Sequence, residues 1–247
     1  MRIKIFAPSY KRPEKSITQI NYPNVKLVVR ESEAEEYIAN GNDIIVCPDS
    51  AQGNISRVRN WILDNLFNEE TDCIIIVDDD CKAISRWQDQ TNTKFTQNEL
   101  IDFCEKTSDV CNDLGFKLWG LNTVTDKGAY REYTPFSFIQ FIGCPFHAHI
   151  KGSDLRYDEE LPLKEDYDFT LQNIKKYGGC LMVNFSNYDV KQSEQEGGCS
   201  NMRSLKKEKQ QFFALQRKWG KDIIKRDKGS KRSFDFNPIM KVPIKGV

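Results

Sequence analysis

The sequence predicts an α/β protein built on a mostly parallel sheet flanked by helices, with a basic helix towards the C-terminal end. Three observations carry this. Short strand-like apolar runs alternate with amphipathic stretches, the pattern of βαβ units. One run, Cys73-Ile74-Ile75-Ile76-Val77, is apolar at every position, as in a strand buried on both faces. Hydrophobic residues make up 39% and aromatic residues 11% of 247 residues, a globular composition that argues against a disordered chain.

Residues 2–7 (RIKIFA) alternate and predict a first strand, stopped by Pro8-Ser9-Tyr10. Residues 25–29 and 43–47 predict the second and third strands, and Pro48 ends the latter. Between them, residues 31–40 predict a short acidic helix with Gly41 beyond its C-cap. A long helix is expected over 54–67, because Ile55, Val58, Ile62, Leu63 and Leu66 form one stripe. The apolar strand at 74–77 follows, then a helix at 98–114 and a strand-like stretch at 117–122. Residues 136–150 (FSFIQFIGCPFHAHI) include strands interrupted at Gly143 and Pro145. A helix at 165–177 stops at Gly178-Gly179 and leads to a strand at 180–184. Residues 200–219 predict a basic helix, and the chain beyond Lys221 reads as charged and irregular. With no internal repeat and no Pro/Gly linker, a single domain is expected: a core at 1–202, with 203–247 packed against it.

Eight cysteines show no CxxC pairing, and several fall within predicted strands or helices. This fits reduced core residues better than disulfides or structural zinc. No apolar run approaches the ~18 residues of a membrane helix, and Met1-Arg2-Ile3-Lys4 leads straight into a strand. A soluble, cytoplasmic protein is the expectation. The formal net charge is zero but unevenly spread: 14 Lys/Arg face 4 Asp/Glu from Arg203 onward, leaving 22 against 32 in the first 202 residues. Such a basic segment suits a polyanionic partner, or equally a solvated helix face that offsets an acidic body.

The all-apolar run ends in Asp78-Asp79-Asp80. Ligands of open α/β sheets bind beyond the carboxyl ends of the strands. Three adjacent carboxylates repel one another unless a cation neutralises them, and hard oxygen donors suit Mg²⁺ or Mn²⁺ shared with substrate phosphates. An ordinary Asp-rich turn is the alternative.

Around this cluster the parts follow a definite order. Pro8-Ser9-Tyr10-Lys11-Arg12-Pro13 follows the first strand. Gly53-Asn54-x-x-Arg57-x-Arg59-Asn60 opens the long helix, the apolar strand runs into the three Asp, and Lys164-Glu165-Asp166-Tyr167-Asp168 stands at a later helix start. In this order, over roughly residues 1–185, the chain resembles the Rossmann-like GT-A nucleotide-sugar glycosyltransferases. More narrowly, VDDD, EDYDFTLQ and the short length resemble the small glycosyltransferases associated with TET/JBP-type oxygenases, including the base J glucosyltransferase and phage relatives.

The resemblance implies a UDP-sugar donor (UDP-glucose or UDP-arabinose) and a Mn²⁺ or Mg²⁺ ion on Asp80 with Asp78 nearby. It further implies that Asp78 and Asp79 face the donor, that Glu165-Asp166 supplies a catalytic base, and that transfer inverts the anomeric carbon. The implied acceptor is the hydroxymethyl group of 5-hydroxymethylcytosine in DNA, as in phage hypermodification, which would place a phage-encoded protein in the host cytoplasm. Many GT-A enzymes carry a third metal ligand, commonly His, after the last core strand. This chain has none there, and residues 191–200 (KQSEQEGGCS) offer Gln, Glu or Gly-rich amides instead.

Each part also has its own chemistry. Pro8 and Tyr10 can wall a uracil ring, and Arg12 can pair with phosphate. Arg57 and Arg59, two residues apart, cannot share a helix face. One is therefore expected to face the donor phosphates or the Asp cluster, and the other solvent. Asn54 is a natural N-cap. Asp166 is the favoured general base, ahead of Glu165 and Asp168, although acids at a helix start also simply complement its dipole. His147 and His149 share one strand face, as cleft or sheet residues more than as metal ligands. Arg203, Lys206, Lys207, Arg217 and Lys218 can track a phosphate backbone. Phe212, Phe213 and Trp219 read as core anchors. Competing readings are the same chemistry on a surface or capsular glycan, a nucleotidyltransferase, and a non-catalytic DNA-binding module.

Overall fold

The computed structural model describes residues 1–126, 128, 130, 132–190, 204–227 and 236–242. The main sheet contains β1 (Ile3–Pro8), β2 (Lys26–Arg30), β3 (Ile44–Cys47), β4 (Cys73–Val77), β5 (Cys81–Gln88), β6 (Thr91–Lys94), β7 (Leu118–Asn122), β8 (Phe136–Ser137), β9 (Phe146–Ile150) and β10 (Leu181–Val190). Its order is β3-β2-β1-β4-β9-β7-β10-β5-β6, with β8 also on β10. Strands β1–β4, β7 and β10 run the same way, and β9 is reversed between β4 and β7. The helices are α1 (Ile17–Asn21), α2 (Ala34–Ala39), α3 (Ile55–Asn65), α4 (Gln97–Asp113), α5 (Glu165–Tyr177) and α6 (Leu205–Trp219), and β11 (Ile224–Arg226) pairs β12 (Pro238–Met240). The architecture is the expected α/β one, with helices on both faces of a mostly parallel sheet.

Strand β4 is buried at all five positions. Cys73, Ile75 and Val77 join a core with Leu100, Cys104 and Cys111 of α4. Ile74 and Ile76 face the other way, onto Val58 and Ile62 of α3. Both faces are thus sealed by helices, which is why the sequence needs no alternation here. The seven described cysteines are all free and buried; Cys199 lies outside the described residues.

Helix ends follow local chemistry. The Asn54 side chain accepts from Ser56 N–H at 2.9 Å, and Gly178 closes α5 in the left-handed conformation at φ 81°. The structure departs from the sequence reading in five places, one of them the chain beyond Lys221, expected to be irregular, where β11 pairs with β12. Residues 31–33 form a 3-10 turn, so the acidic helix begins only at Ala34. Helix α1 and the β5–β6 hairpin were not anticipated. The hairpin turns on Asp89 and Gln90, both at positive φ (48° and 67°), without the glycine that usually announces such a turn. Strand β10 runs to Val190 instead of ending at 184, because past a register shift it leaves β7 and pairs with β5.

Helix α6 packs Phe212 and Leu215 against Leu161, Leu171, Ile224 and Phe236. Three polar ties fix it to the segment around α5. Lys164 Nζ meets Glu208 at 2.6 Å in a buried pair. Lys218 Nζ lies 2.7 Å from Asp158 and 2.9 Å from Asp168, and the Trp219 indole N–H donates to Asp168 at 2.7 Å. Of the three aromatic anchors expected, Phe212 is buried, Trp219 is partly buried against the same cluster and Phe213 is exposed.

Candidate active site

The acidic turn after β4 is held by hydroxyls from elsewhere. Ser16 Oγ donates to the Asp79 carbonyl at 2.7 Å and Thr18 Oγ1 to the Asp78 carbonyl at 2.6 Å. Cys81 N–H donates back to Thr18 Oγ1 at 2.8 Å. The start of α1 therefore fixes the backbone that carries the three carboxylates.

Those carboxylates differ. Asp79 is buried, accepts from Ser9 Oγ, and pairs with Arg12 Nη1 at 3.0 Å. It ties the Pro8–Pro13 loop to the sheet. Asp78 and Asp80 lie at the edge of ion-pair range from their nearest guanidinium nitrogens: Arg59 Nη2 at 3.9 Å and Arg12 Nη1 at 3.9 Å. Burial pushes Asp78 up to about 7, opposed by Arg59 and reinforced by repulsion from Asp80, Asp79 and Glu165. Burial and repulsion from Asp79, opposed by Arg12, push Asp80 up to about 6. Asp79 is also raised, by burial, against the pull of Arg12 and Ser9.

The remaining predicted residues fall around this centre. Pro8 closes β1 beside Val28. The Tyr10 ring carries the Arg30 guanidinium 4.9 Å from its centroid. Lys11 adopts φ 53°, a left-handed strain within the same loop. Arg12 is engaged by Asp79. On α3 the two arginines diverge: Arg57 bonds Glu159 at 3.1 Å on the surface, whereas Arg59 is buried and reaches Glu165 Oε1 at 2.9 Å. Arg59 thus stands between Asp78, at the end of β4, and Glu165, at the start of α5.

Asp166 is half-buried next to Glu165. Burial and the Glu165 charge raise its carboxyl, against a hydrogen bond from Tyr167 N–H and the positive charges of Arg59 and Lys164. Asp168 faces the other way, buried on Lys218, Trp219 and Gln172. His147 and His149 lie under the site on β9 with rings 5.0 Å apart. Burial and Arg59 hold both well below the ordinary imidazole range. His149 Nε2 meets the Tyr157 hydroxyl at 3.2 Å, and His147 Nδ1 lies 3.0 Å from the Cys144 carbonyl. Of the cations on α6, Lys206, Lys207 and Arg217 are exposed, and Lys218 is spent on Asp158 and Asp168. Arg203 and residues 191–200 lie outside the described residues.

The donor set suits a hard divalent cation: carboxylate oxygens on Asp78 and Asp80 that burial and mutual repulsion leave under-neutralised. No group of three or more His, Cys, Asp or Glu that could hold a metal is found among the described residues. An ion here would complete its shell with substrate phosphates and water. The sequence reading missed Ser9, Ser16 and Thr18, ordinary hydroxyl residues whose partners lie 60–70 positions away. It also left Glu165 without its pairing to Arg59, which only packing of α3 on α5 creates.

The TET-associated glycosyltransferase family model matches residues 3–198. Among solved structures, TarS 1–349 from S. aureus aligns at 15% identity and a TM-score of 0.47, covering 76% of this chain and 59% of that one. The same fragment in complex with UDP aligns at 16% identity and a TM-score of 0.45, with the same coverage. A197 from STIV aligns at 13% identity and a TM-score of 0.46, covering 81% of this chain and 91% of that one. This chain therefore spans little more than half of the TarS fragment. No curated protein matches its sequence. No helix among the described residues is long and apolar enough to cross a membrane.

Proposed function

The chain belongs to the TET-associated glycosyltransferase family, and on that basis we propose that it moves the sugar of a UDP-sugar onto the hydroxymethyl group of 5-hydroxymethylcytosine in DNA, with inversion. The observation that carries the reading is the pair of half-buried, under-neutralised carboxylates at the end of β4 with a third, Asp166, one Arg59–Glu165 link away. One side suits a metal-bound diphosphate and the other a base.

Asp80 and Asp78 would hold Mn²⁺ or Mg²⁺, which when bound neutralises charge on the departing diphosphate. Pro8 and Tyr10 wall the uracil, Asp78 lies on the ribose side, and Asp79 and Arg12 fix the loop that carries that wall. Asp166 takes the proton of the acceptor hydroxyl as its oxygen bonds to the anomeric carbon. The bond from that carbon to the phosphate oxygen breaks on the opposite face, and its electron pair leaves with UDP. A carboxyl raised towards neutrality is a stronger base than an ordinary one, which suits this role. Lys206, Lys207, Arg203 and Arg217 would meet the DNA backbone, and Lys218 contributes through its hold on α5. The target base must leave the stack to reach a carboxylate set in a cleft.

The test is a nucleoside mass assay with Mn²⁺, a panel of UDP-sugars, and DNA bearing cytosine or 5-hydroxymethylcytosine. A sugar-sized gain on hydroxymethylcytosine alone, absent in Asp80→Ala and Asp166→Asn, is expected. Metal-dependent UDP release with no DNA product would move the acceptor to a glycan.

A further inference from the structure

One segment spans the distance between the two halves of the site. At one end the Pro145 carbonyl accepts from Asp78 N–H at 3.1 Å. At the other, Ile142 N–H donates to Thr170 Oγ1 of α5 at 3.2 Å, and Phe141 stacks on Tyr167 with ring centroids 4.1 Å apart. Gly143 lies in the middle, buried. A methyl group at Gly143 would stand 2.7 Å from the Tyr188 hydroxyl oxygen and 2.9 Å from Thr123 Cγ2. The absence of a side chain at 143 is what lets the Tyr188 hydroxyl reach this span.

Tyr188 is on the extended part of β10, opposite Ile84, and is 7% exposed. Among the described residues its hydroxyl has no hydrogen-bond partner, and it is not among the sealed-off polar atoms. A buried phenol normally finds a partner for its O–H. Here the ring is packed into the core and the hydroxyl is directed at the strip joining Asp78 to α5.

We propose that Tyr188 is a donor-sugar residue: its hydroxyl, held against Gly143 midway between Asp78 and the Asp166 helix, hydrogen-bonds a hydroxyl group of the sugar being transferred. This deepens the UDP-sugar reading above and rests on it. An uncharged O–H suits a neutral sugar hydroxyl, whereas a diphosphate would favour a cation. Burial pushes the phenol well above its ordinary range, and the charges of Asp78 and Asp166 push the same way, so the group stays protonated and able to donate. A site built to bond a hydroxyl discriminates strongly against a ligand lacking it, which makes Tyr188 a determinant of which sugar is accepted.

The experiment is calorimetric titration of the full chain, with Mn²⁺, using UDP and a panel of UDP-sugars against wild type, Tyr188→Phe, Gly143→Ala and the double variant. Tyr188→Phe removes one oxygen and keeps the packing. It is expected to bind UDP as wild type does and to lose on the order of tenfold in affinity for the accepted UDP-sugar. Gly143→Ala should show the same sugar-selective loss by displacing the hydroxyl. In the double variant thermal stability should recover in part, since the contact with Thr123 Cγ2 remains, while sugar affinity should not. Unchanged UDP-sugar affinity in Tyr188→Phe, or equal weakening of UDP and UDP-sugar, overturns the proposal. Failure of wild type to bind UDP at all overturns the donor reading beneath it, a result separate from either.

Discussion

Replacing Arg59 with Met should be among the most costly single changes in this protein. The guanidinium is buried, lies 2.9 Å from Glu165 and 3.9 Å from Asp78, and sits over the Tyr157 ring at 5.6 Å. At an effective dielectric near 20, the Glu165 contact at 2.9 Å corresponds to about 6 kcal/mol of gross attraction. Desolvating the two ions costs several kcal/mol each, so the intact pair nets little. Removing only the cation is another matter: Glu165 stays buried with no counter-charge, and breaking such a pair costs about 3–5 kcal/mol. For a domain of this size that is a drop in melting temperature of roughly 6–20 °C. Arg59→Met/Glu165→Gln, which neutralises both ends, should regain more than half of the loss. Thermal and urea unfolding of the two singles and the double give the coupling energy directly. An Arg59→Met protein within about 1 kcal/mol of wild type, or one that Glu165→Gln does not rescue, would refute the view of Arg59 as the strut between β4 and α5.

Other outcomes follow from the same geometry. The folded state holds Asp78 up to about 7 and Asp80 up to about 6, above unfolded values near 4, so it binds more protons than the unfolded chain between those limits. Without metal, stability should therefore fall as pH rises from about 4 to about 7, and Asp78→Asn should flatten that slope in a melting series. Mn²⁺ should stabilise more at pH 7.5 than at pH 5, since its ligands must be deprotonated. Asp79→Ala and Asp80→Ala should separate: the first loosens the Pro8–Pro13 loop and lowers the melting temperature, while the second leaves stability intact at neutral pH and abolishes metal-dependent UDP binding by titration. Asp168→Ala leaves the Trp219 indole N–H without its acceptor and Lys218 with Asp158 alone, and should cost about 1–3 kcal/mol and raise hydrogen exchange across α6. Lys206→Glu/Lys207→Glu should weaken DNA binding and reduce the slope of log K against log salt by roughly 2, with UDP affinity unchanged.

Strand β4 and the acids after it were legible because an all-apolar pentapeptide admits few alternatives and the charges begin at one residue. The span of α5 was legible for a similar reason, with acids at its start and Gly178 at its end. The β5–β6 hairpin was not: CKAISRWQ does not alternate cleanly, and its turn takes positive φ at Asp89 and Gln90, residues that do not announce it. The C-terminal charge excess also misleads when read alone, because part of it is spent within the chain, by Lys218 on Asp158 and Asp168.

The sequence by itself determined the layered α/β plan, the acidic cluster at a strand end and the acidic start of a later helix, since these rest on local pattern and adjacent residues. Only the tertiary structure decided which of three neighbouring Asp is a loop anchor and which two stay open, that Arg59 rather than Arg57 faces them, and that Tyr188 reaches Gly143. Those assignments depend on contacts between residues 19 to 106 positions apart, where partner and burial are set by how helices and strands pack and not by any spacing along the chain.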